Sequence, residues 1–224
     1  MTPVSRHAGF SLVEVVVALG VTLALTAAIF DLVAQSRRTF DLEPEAADGR
    51  QRVRVAIDAL LRDLLMASAV LPYRTVGPVP DLPGTFNEDV VTVVSQQASG
   101  PDTVRTYYLR GDPASGALLM RAEGGGGDAP VVDDVTSLSF TFFGNPAGPA
   151  DPDDACDAPP AGGPLVPIAG PELTDGPWCP TVEDAAPLDA DLLRVRTVVV
   201  RLGMRGMPCE TTFEVTLRNR NQDR

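Results

Sequence analysis

A single carboxylate, Glu14, stands where its charge is costly, inside the apolar segment from Phe10 to Phe30. That segment contains no other charged side chain. A charge within a membrane span costs roughly 2.5–3.5 kcal/mol on insertion scales, so an acid in that position usually has a purpose. The chemistry that we expect of Glu14 is pairing with a cation rather than catalysis.

Residues suited to catalysis are scarce elsewhere in the chain. There is one histidine, His7, and none of the three cysteines belongs to a CxxC pair. Ser-His or Cys-His catalysis would depend on His7 alone, and the same counts argue against a zinc site. We expect neither enzymatic activity nor a cofactor.

Acidic residues cluster around Cys156, within a stretch rich in Pro, Gly and Asp from residue 144 to residue 187. Oxygen ligands at such close spacing can hold calcium, but the run lacks the glycine and the terminal glutamate of an EF-hand loop. A solvated acidic loop is the favoured interpretation, and a calcium site is the alternative. The four acids are Asp151, Asp153, Asp154 and Asp157.

The cysteines can form one disulfide if this region lies outside the cytoplasm. Cys156 and Cys179 are the favoured pair because both lie in the same loop-like stretch, which leaves Cys209 unpaired. Three free thiols are the alternative. We expect Trp178, beside Cys179, to pack on the disulfide or its loop rather than to form an exposed contact.

The net charge limits the kinds of partner. The 224 residues include 30 acidic and 18 basic side chains, which gives a formal charge of -12. Phosphate would be repelled by this excess of acid, so we do not expect nucleic acid as a partner. The length suits one domain of ordinary size plus an appendage.

The apolar segment is that appendage. Its 21 residues form a helix of about 31 Å, close to the thickness of a bilayer core. A secretory signal peptide cut near Ala28 and a plain single-span anchor are two interpretations. Glu14 argues against the signal peptide, because an acid deep in the apolar region weakens insertion.

A third interpretation comes from the residues Gly9 to Val15, Gly-Phe-Ser-Leu-Val-Glu-Val, and the apolar run behind them, which resemble the processing motif of type IV prepilins. The resemblance implies that a membrane peptidase cuts between Gly9 and Phe10 and that Phe10 is then methylated. It also implies that residues 1–9 are a leader and that residues 10–30 cross the inner (cytoplasmic) membrane once. Glu14 then stays inside the membrane as an assembly residue.

Cleavage after Gly9 would create a charged amine four positions before Glu14. In a lone subunit neither charge is well solvated. When helices pack with a stagger, the amine of one subunit can meet the carboxylate of a neighbour. That attraction is roughly 4 kcal/mol at about 4 Å and an effective dielectric near 20, before desolvation is subtracted. Because only one axial register pairs the charges, we interpret Glu14 as a register key.

The helical pattern continues beyond the span. Residues 31–38 can extend the helix, and Pro44 is expected to interrupt or bend it. From Arg50 to Val70 apolar residues recur at helical spacing, which predicts an amphipathic stem helix within residues 31–71. The apolar face consists of Val53, Ile57, Leu60, Leu61 and Leu64, and a charge ladder at i, i+4 spacing consists of Arg54, Asp58 and Arg62.

Residues 72–224 have the pattern of a β-rich head. Short β-branched and aromatic runs separated by turn residues predict a mainly antiparallel sheet, and the whole chain is therefore expected to be α+β. The irregular stretch 144–187 is expected to be an insertion in this head. The predicted strands are Val90–Ser95, Thr103–Leu109, Ala117–Arg121, Val131–Phe143, Leu193–Leu202 and Thr211–Leu217.

The resemblance implies a type IV pilin fold and a minor subunit of a type IV pilus or a type II secretion filament, with a periplasmic or extracytoplasmic head. The stem is similar to that of W-type minor pilins and J-type pseudopilins, and the C-terminal residues are similar to those of some W-type minor pilins. Implied partners are other pilins or pseudopilins bound through the N-terminal helix, the prepilin peptidase, an N-methyltransferase and the assembly machinery in the membrane. A stand-alone membrane-anchored protein that binds a ligand outside the membrane is the alternative function.

Overall fold

The structure, a computed structural model, describes residues 11–82, 85–95, 102–124, 126–146, 156, 163–179 and 188–217. It begins with one long helix, α1, from Leu12 to Leu65, and continues as antiparallel strands. The layout is therefore α+β, as predicted. The chain divides into two compact units within α1, after Ala47.

The helix continues through Pro44, so the predicted interruption there is wrong. A proline removes one backbone N–H and crowds the carbonyl one turn earlier. One lost hydrogen bond does not end a helix of 54 residues. The helix then ends at Leu65, before the predicted end at Val70, because Ala69–Leu71 form a strand instead.

The strands in chain order are β1 (Ala69–Leu71), β2 (Val91–Ser95), β3 (Thr103–Arg110), β4 (Ala117–Glu123), β5 (Asp128–Gly144), β6 (Val166–Ile168), β7 (Trp178–Cys179), β8 (Leu188–Asp189), β9 (Val195–Met204) and β10 (Thr211–Thr216). The main sheet has the order β1-β2-β3-β4-β5-β9-β10, with β6 paired to β5. All of its pairs are antiparallel. Strands β7 and β8 pair with each other.

All six predicted strands are confirmed, with ends that differ by a few residues. The stretch 144–187 is more regular than predicted, because its described part contains β6, β7 and a short 3-10 helix, Gly170–Leu173. Two of its side chains, Ile168 and Leu173, are buried in the main core. The described part of this stretch therefore belongs to the head and is not a structureless insertion.

The buried face of α1 after Asp48 belongs to the main hydrophobic core of the head. Val53, Leu60 and Leu64 are buried, as predicted, and Ile57 and Leu61 are partly buried. The sheet contributes to the same core through side chains that include Phe140, Phe142, Val198, Val200 and Leu202. The predicted ladder does not form, since the exposed residues Arg54, Asp58 and Arg62 make no ion pair with one another.

The loop between β1 and β2 covers the other face of strands β2 to β4. Tyr108 follows a residue that points toward α1, so its side chain points away from the helix. It forms a second buried cluster with Val90, Met120 and Ala122, against which Val76 of the loop packs. The hydroxyl of Thr92 donates to the Tyr73 carbonyl at 2.6 Å and holds the loop on the strand.

Strand β5 changes partner along its length. Up to Val135 it pairs with β4, and from Val135 onward it pairs with β9. A register shift at this point marks a β-bulge, where Asp134 has a φ of 57°. Aspartate adopts this left-handed conformation more readily than most residues. The carboxylates of Asp133 and Asp134 both form ion pairs with Arg52 of α1, so the bulge also joins the sheet to the helix.

Truncation of the α1 core should be costly. Leu60 is 0% exposed, so Leu60→Ala should lower the free energy of unfolding by about 2–5 kcal/mol through lost contacts and a cavity. Denaturant unfolding of the full chain in detergent, followed by the fluorescence of the single tryptophan, measures this loss.

Val55→Ala is the matched control in the same helix. Val55 is 43% exposed, so its truncation should change the free energy of unfolding by no more than about 0.5 kcal/mol. Similar losses in the two variants would show that this helix face is not part of the core.

Candidate membrane and assembly site

Apolar side chains cover the first part of α1. The segment Leu12–Arg37 has 26 residues, and the most apolar run of 18 residues within it has a mean hydropathy of 2.4 and is not buried within the described chain. A helix of that length rises about 39 Å, more than the roughly 30 Å of a bilayer core. Proteins rarely leave an apolar surface of this size in water. The helix is long and apolar enough to cross a membrane.

Glu14 lies in the first turn of this helix, and its side chain is exposed. Among the described residues, its carboxylate has no hydrogen-bond donor and no ion-pair partner. The helix N-terminus supplies a favourable but only fractional positive charge. In an apolar environment the negative charge of this carboxylate would therefore not be compensated by the described part of the chain.

The other polar side chains between Leu12 and Phe30, Thr22 and Thr26, differ from Glu14 in this respect. The hydroxyl of Thr22 donates to the carbonyl of Ala18, and the hydroxyl of Thr26 donates to the carbonyl of Thr22, both at 2.7 Å. These hydroxyls are satisfied by the helix itself, so they carry little cost in an apolar environment. Between Leu12 and Phe30, Glu14 is thus the polar side chain without a partner in the described part of the chain.

Several predicted site residues lie outside the described part of the chain. These are the cleavage and methylation residues Gly9 and Phe10 and the calcium candidates Asp151, Asp153, Asp154 and Asp157. Within the described residues, no group of three or more His, Cys, Asp or Glu is placed to hold a metal ion. The cleavage site and the calcium site stay predictions.

A disulfide joins Cys156 to Cys179, the pair that the sequence favours, and Cys209 is free and exposed. The two bonded residues are 23 positions apart, and closing a loop of that size stabilises a fold by about 3 kcal/mol in the chain-entropy model. Cys179 is buried against Ala190, so the disulfide connects residue 156 to the packed part of the head.

The segment around this disulfide is held by a buried carboxylate. Asp189 accepts hydrogen bonds from the backbone N–H of Gly176 at 2.7 Å and of Asp191 at 2.8 Å. Burial raises the pKa of Asp189, and these two hydrogen bonds oppose that rise. Trp178 lies against Gly176 but is 42% exposed, so the expected packing is found only in part.

A second buried carboxylate, Asp63 of α1, was not predicted as a site residue. Tyr107 donates its hydroxyl to Asp63 at 2.6 Å, and Arg105 forms an ion pair with it at 3.1 Å. Burial raises the pKa of Tyr107, and the hydrogen bond to Asp63 raises it further. This group fixes α1 on β3 in one register. The signal in the sequence is slight: an acid three positions after Leu60 lies beside the apolar helix face.

The described head also contains a partly open cavity of about 410 Å³. Its walls are mainly apolar, from Phe86, Phe140, Phe142 and Ile168, and Glu88 is the ionisable side chain of the lining. The cavity offers apolar contact and one carboxylate. Neither the position nor the composition of this cavity could be predicted from the sequence, because it is built from three separate segments.

Because of two of its tyrosines, the head should become less stable at alkaline pH. Burial raises the pKa of Tyr107, and burial together with the hydrogen bond to Asp128 raises the pKa of Tyr108 to about 12. A tyrosine whose pKa is higher in the folded chain than the unfolded value of about 10 contributes fully to the free energy of unfolding below about pH 10. That contribution is lost as the pH rises from about 10 through the folded pKa. The free energy of unfolding should therefore fall between about pH 10 and pH 12.

Tyr107→Phe should make this fall less steep, since each such group contributes up to about 1.4 kcal/mol per pH unit. Denaturant unfolding of the wild type and the variant at several pH values measures both slopes. Equal slopes would show that Tyr107 titrates alike in the folded and unfolded chains.

Comparisons of the chain with protein-family models, with curated proteins and with solved structures give no match. The function must therefore be inferred from the residues of the chain itself. The features that carry most weight are the apolar surface of the first part of α1 and the carboxylate of Glu14 within it.

Proposed function

We propose that the chain is a minor subunit of a type IV pilus-like filament, either a type IV pilus or a type II secretion filament. In this proposal the first part of α1 anchors the subunit in the inner membrane and later packs against other subunits. The observation that carries the proposal is Glu14, unpaired among the described residues of an uncovered apolar helix. A charge that the chain itself does not neutralise there requires a second molecule with a cation at the same depth.

The sequence supplies such a cation. Cleavage between Gly9 and Phe10 would leave a protonated amine at the start of the same helix, four positions before Glu14. Each subunit then carries one cation and one anion at the apolar end of its helix, so neighbouring helices can neutralise each other. The attraction between the amine and the carboxylate offsets the cost of desolvating them only when the helices have the correct stagger. The pairing therefore contributes more to the specificity of packing than to its affinity.

The head is compatible with a place outside the cytoplasm. Disulfides persist in oxidising compartments such as the periplasm, so the bond between Cys156 and Cys179 supports an extracytoplasmic head. The described head is a complete packed unit with its own core. A small leader on the other side of the membrane is easy to retain, which supports the orientation with residues 1–9 in the cytoplasm.

Maturation should depend on the volume of the residue before the cut. Gly9→Arg should block cleavage, because the leader peptidase accepts little volume there, whereas Gly9→Ala should still be processed. Mass spectrometry of the N-terminal peptide, on protein isolated from membranes, measures the fraction that begins at Phe10. Normal maturation of Gly9→Arg would contradict the proposed processing.

Removal of the Glu14 charge should leave membrane insertion and cleavage unchanged but impair assembly. Glu14→Ala is expected to enter filaments at least about tenfold less than the wild type, which corresponds to about 1.4 kcal/mol of lost selectivity. Quantitative detection of the subunit in sheared filaments and in membranes measures both steps.

Thr22→Ala is the matched control, because it also removes a polar group from the apolar helix, but one that is bonded to the Ala18 carbonyl. It should assemble as the wild type does. Wild-type incorporation of Glu14→Ala would remove the register role and favour the stand-alone anchored protein.

A further inference from the structure

The part of α1 within the head leaves one side uncovered. At about 100° per residue, the exposed side chains occupy an arc of about 160°, opposite the buried face that contains Leu60. Together with the first residue after the helix they form what we term the arginine face. Its members are Asp48, Arg50, Gln51, Arg54, Val55, Asp58, Arg62 and Met66.

The guanidinium groups of this face lack partners. Arg50, Arg54 and Arg62 form no hydrogen bond and no ion pair within the described part of the chain. By contrast, Arg52 of the same helix binds three carboxylates, and Arg105 binds two. The described head thus supplies carboxylates to Arg52 and Arg105 but not to Arg50, Arg54 or Arg62.

The sign of the charge on this face is opposite to that of the chain as a whole. Three arginines and two aspartates give the arginine face a net charge of +1, whereas the chain carries -12, and one of the aspartates, Asp48, is paired with Arg52 outside the face. Two apolar side chains accompany the charges, since Val55 is 43% exposed and Met66 is 56% exposed. In protein interfaces, a polar rim surrounds an apolar centre. The charged side chains of this face have the composition of such a rim, and Val55 and Met66 have that of the centre.

We infer that the arginine face docks on an acidic surface of a neighbouring protein subunit. The inference rests on the proposed function, because a filament places such a neighbour beside the stem. Arg54 and Arg62 are eight positions apart, so carboxylates spaced by about 12 Å on the partner would meet both guanidiniums. Charge complementarity of this kind steers association and selects the partner.

A protein partner fits the face better than a phosphate surface does. A lipid surface or a nucleic acid would present phosphates to the whole head, and the charge of -12 would be repelled. A protein can present a few carboxylates to the arginine face alone and apolar side chains to Val55 and Met66. The docking surface is therefore local, and its affinity for the partner should fall as salt screens the charges.

The test uses the full chain in native membranes, with a photoreactive amino acid in place of Val55. Illumination should yield an adduct with another protein subunit. Arg54→Glu combined with Arg62→Glu should reduce that adduct roughly tenfold, which corresponds to about 1.4 kcal/mol. Asp58→Arg should increase it, and this second variant keeps the test valid if the double variant folds poorly.

Arg201→Glu is the matched control, because Arg201 is exposed on β9 and forms no ion pair within the described residues. It should leave the adduct unchanged. No adduct, an adduct with lipid alone, or an adduct equally strong in the double variant would overturn the inference. The N-terminal residue of the same sample separates the two proposals: a charge-dependent adduct on a chain that retains Met1 would contradict filament maturation but not the docking face.

Discussion

An apolar helix surface that the described chain does not cover is the constraint on which the rest depends. Large aliphatic side chains remain exposed from Leu12 to Ile29, and burying each one contributes about 1.5–3 kcal/mol. Glu14 opposes this by roughly 2.5–3.5 kcal/mol, so the helix favours an apolar environment despite its charge. The carboxylate therefore does not decide whether the helix is buried. In the proposed function, it decides which neighbours and which stagger the buried helix accepts.

The same helix carries a second acid in the opposite situation. Asp63 has its partners within the chain, from Tyr107 and Arg105 of β3, and it fixes the helix on the sheet of the head. The ion pairs of Arg52 with the bulge in β5 hold the helix at another point. One continuous helix thus has an acid that completes the head and an acid that the head leaves unpaired. The proposed function attributes assembly to the second.

The features that could be predicted are those whose signal is local in the sequence. The motif from Gly9 to Val15 and the alternation of β5 are each contained in one short run of residues, so the span, the charge and the main strands could be inferred. Strand β1 could not, because Ala69–Leu71 continue the apolar run of the helix and are distinguished only by pairing with β2. The end of α1 was misplaced for the same reason.

Features that depend on distant partners were also missed. Tyr107 lies 44 positions after Asp63, and nothing near either residue indicates their hydrogen bond. The predicted ladder of Arg54, Asp58 and Arg62 used spacing alone. The observed ion pairs of the helix use Arg52 and Asp63, whose partners come from the sheet, apart from the i, i+4 pair of Arg52 with Asp48. Spacing along a helix predicts which residues share a face, but not whether a strand from elsewhere supplies a better partner.

The mature N-terminus of the wild-type protein is the most direct test of the central claim. Intact-mass and N-terminal peptide mass spectrometry on protein purified from its native membrane would measure it. We predict a chain that begins at Phe10 with one added methyl group. A functional protein that begins at Met1, or one that begins near Ala28 and so lacks the apolar helix, would contradict the claim.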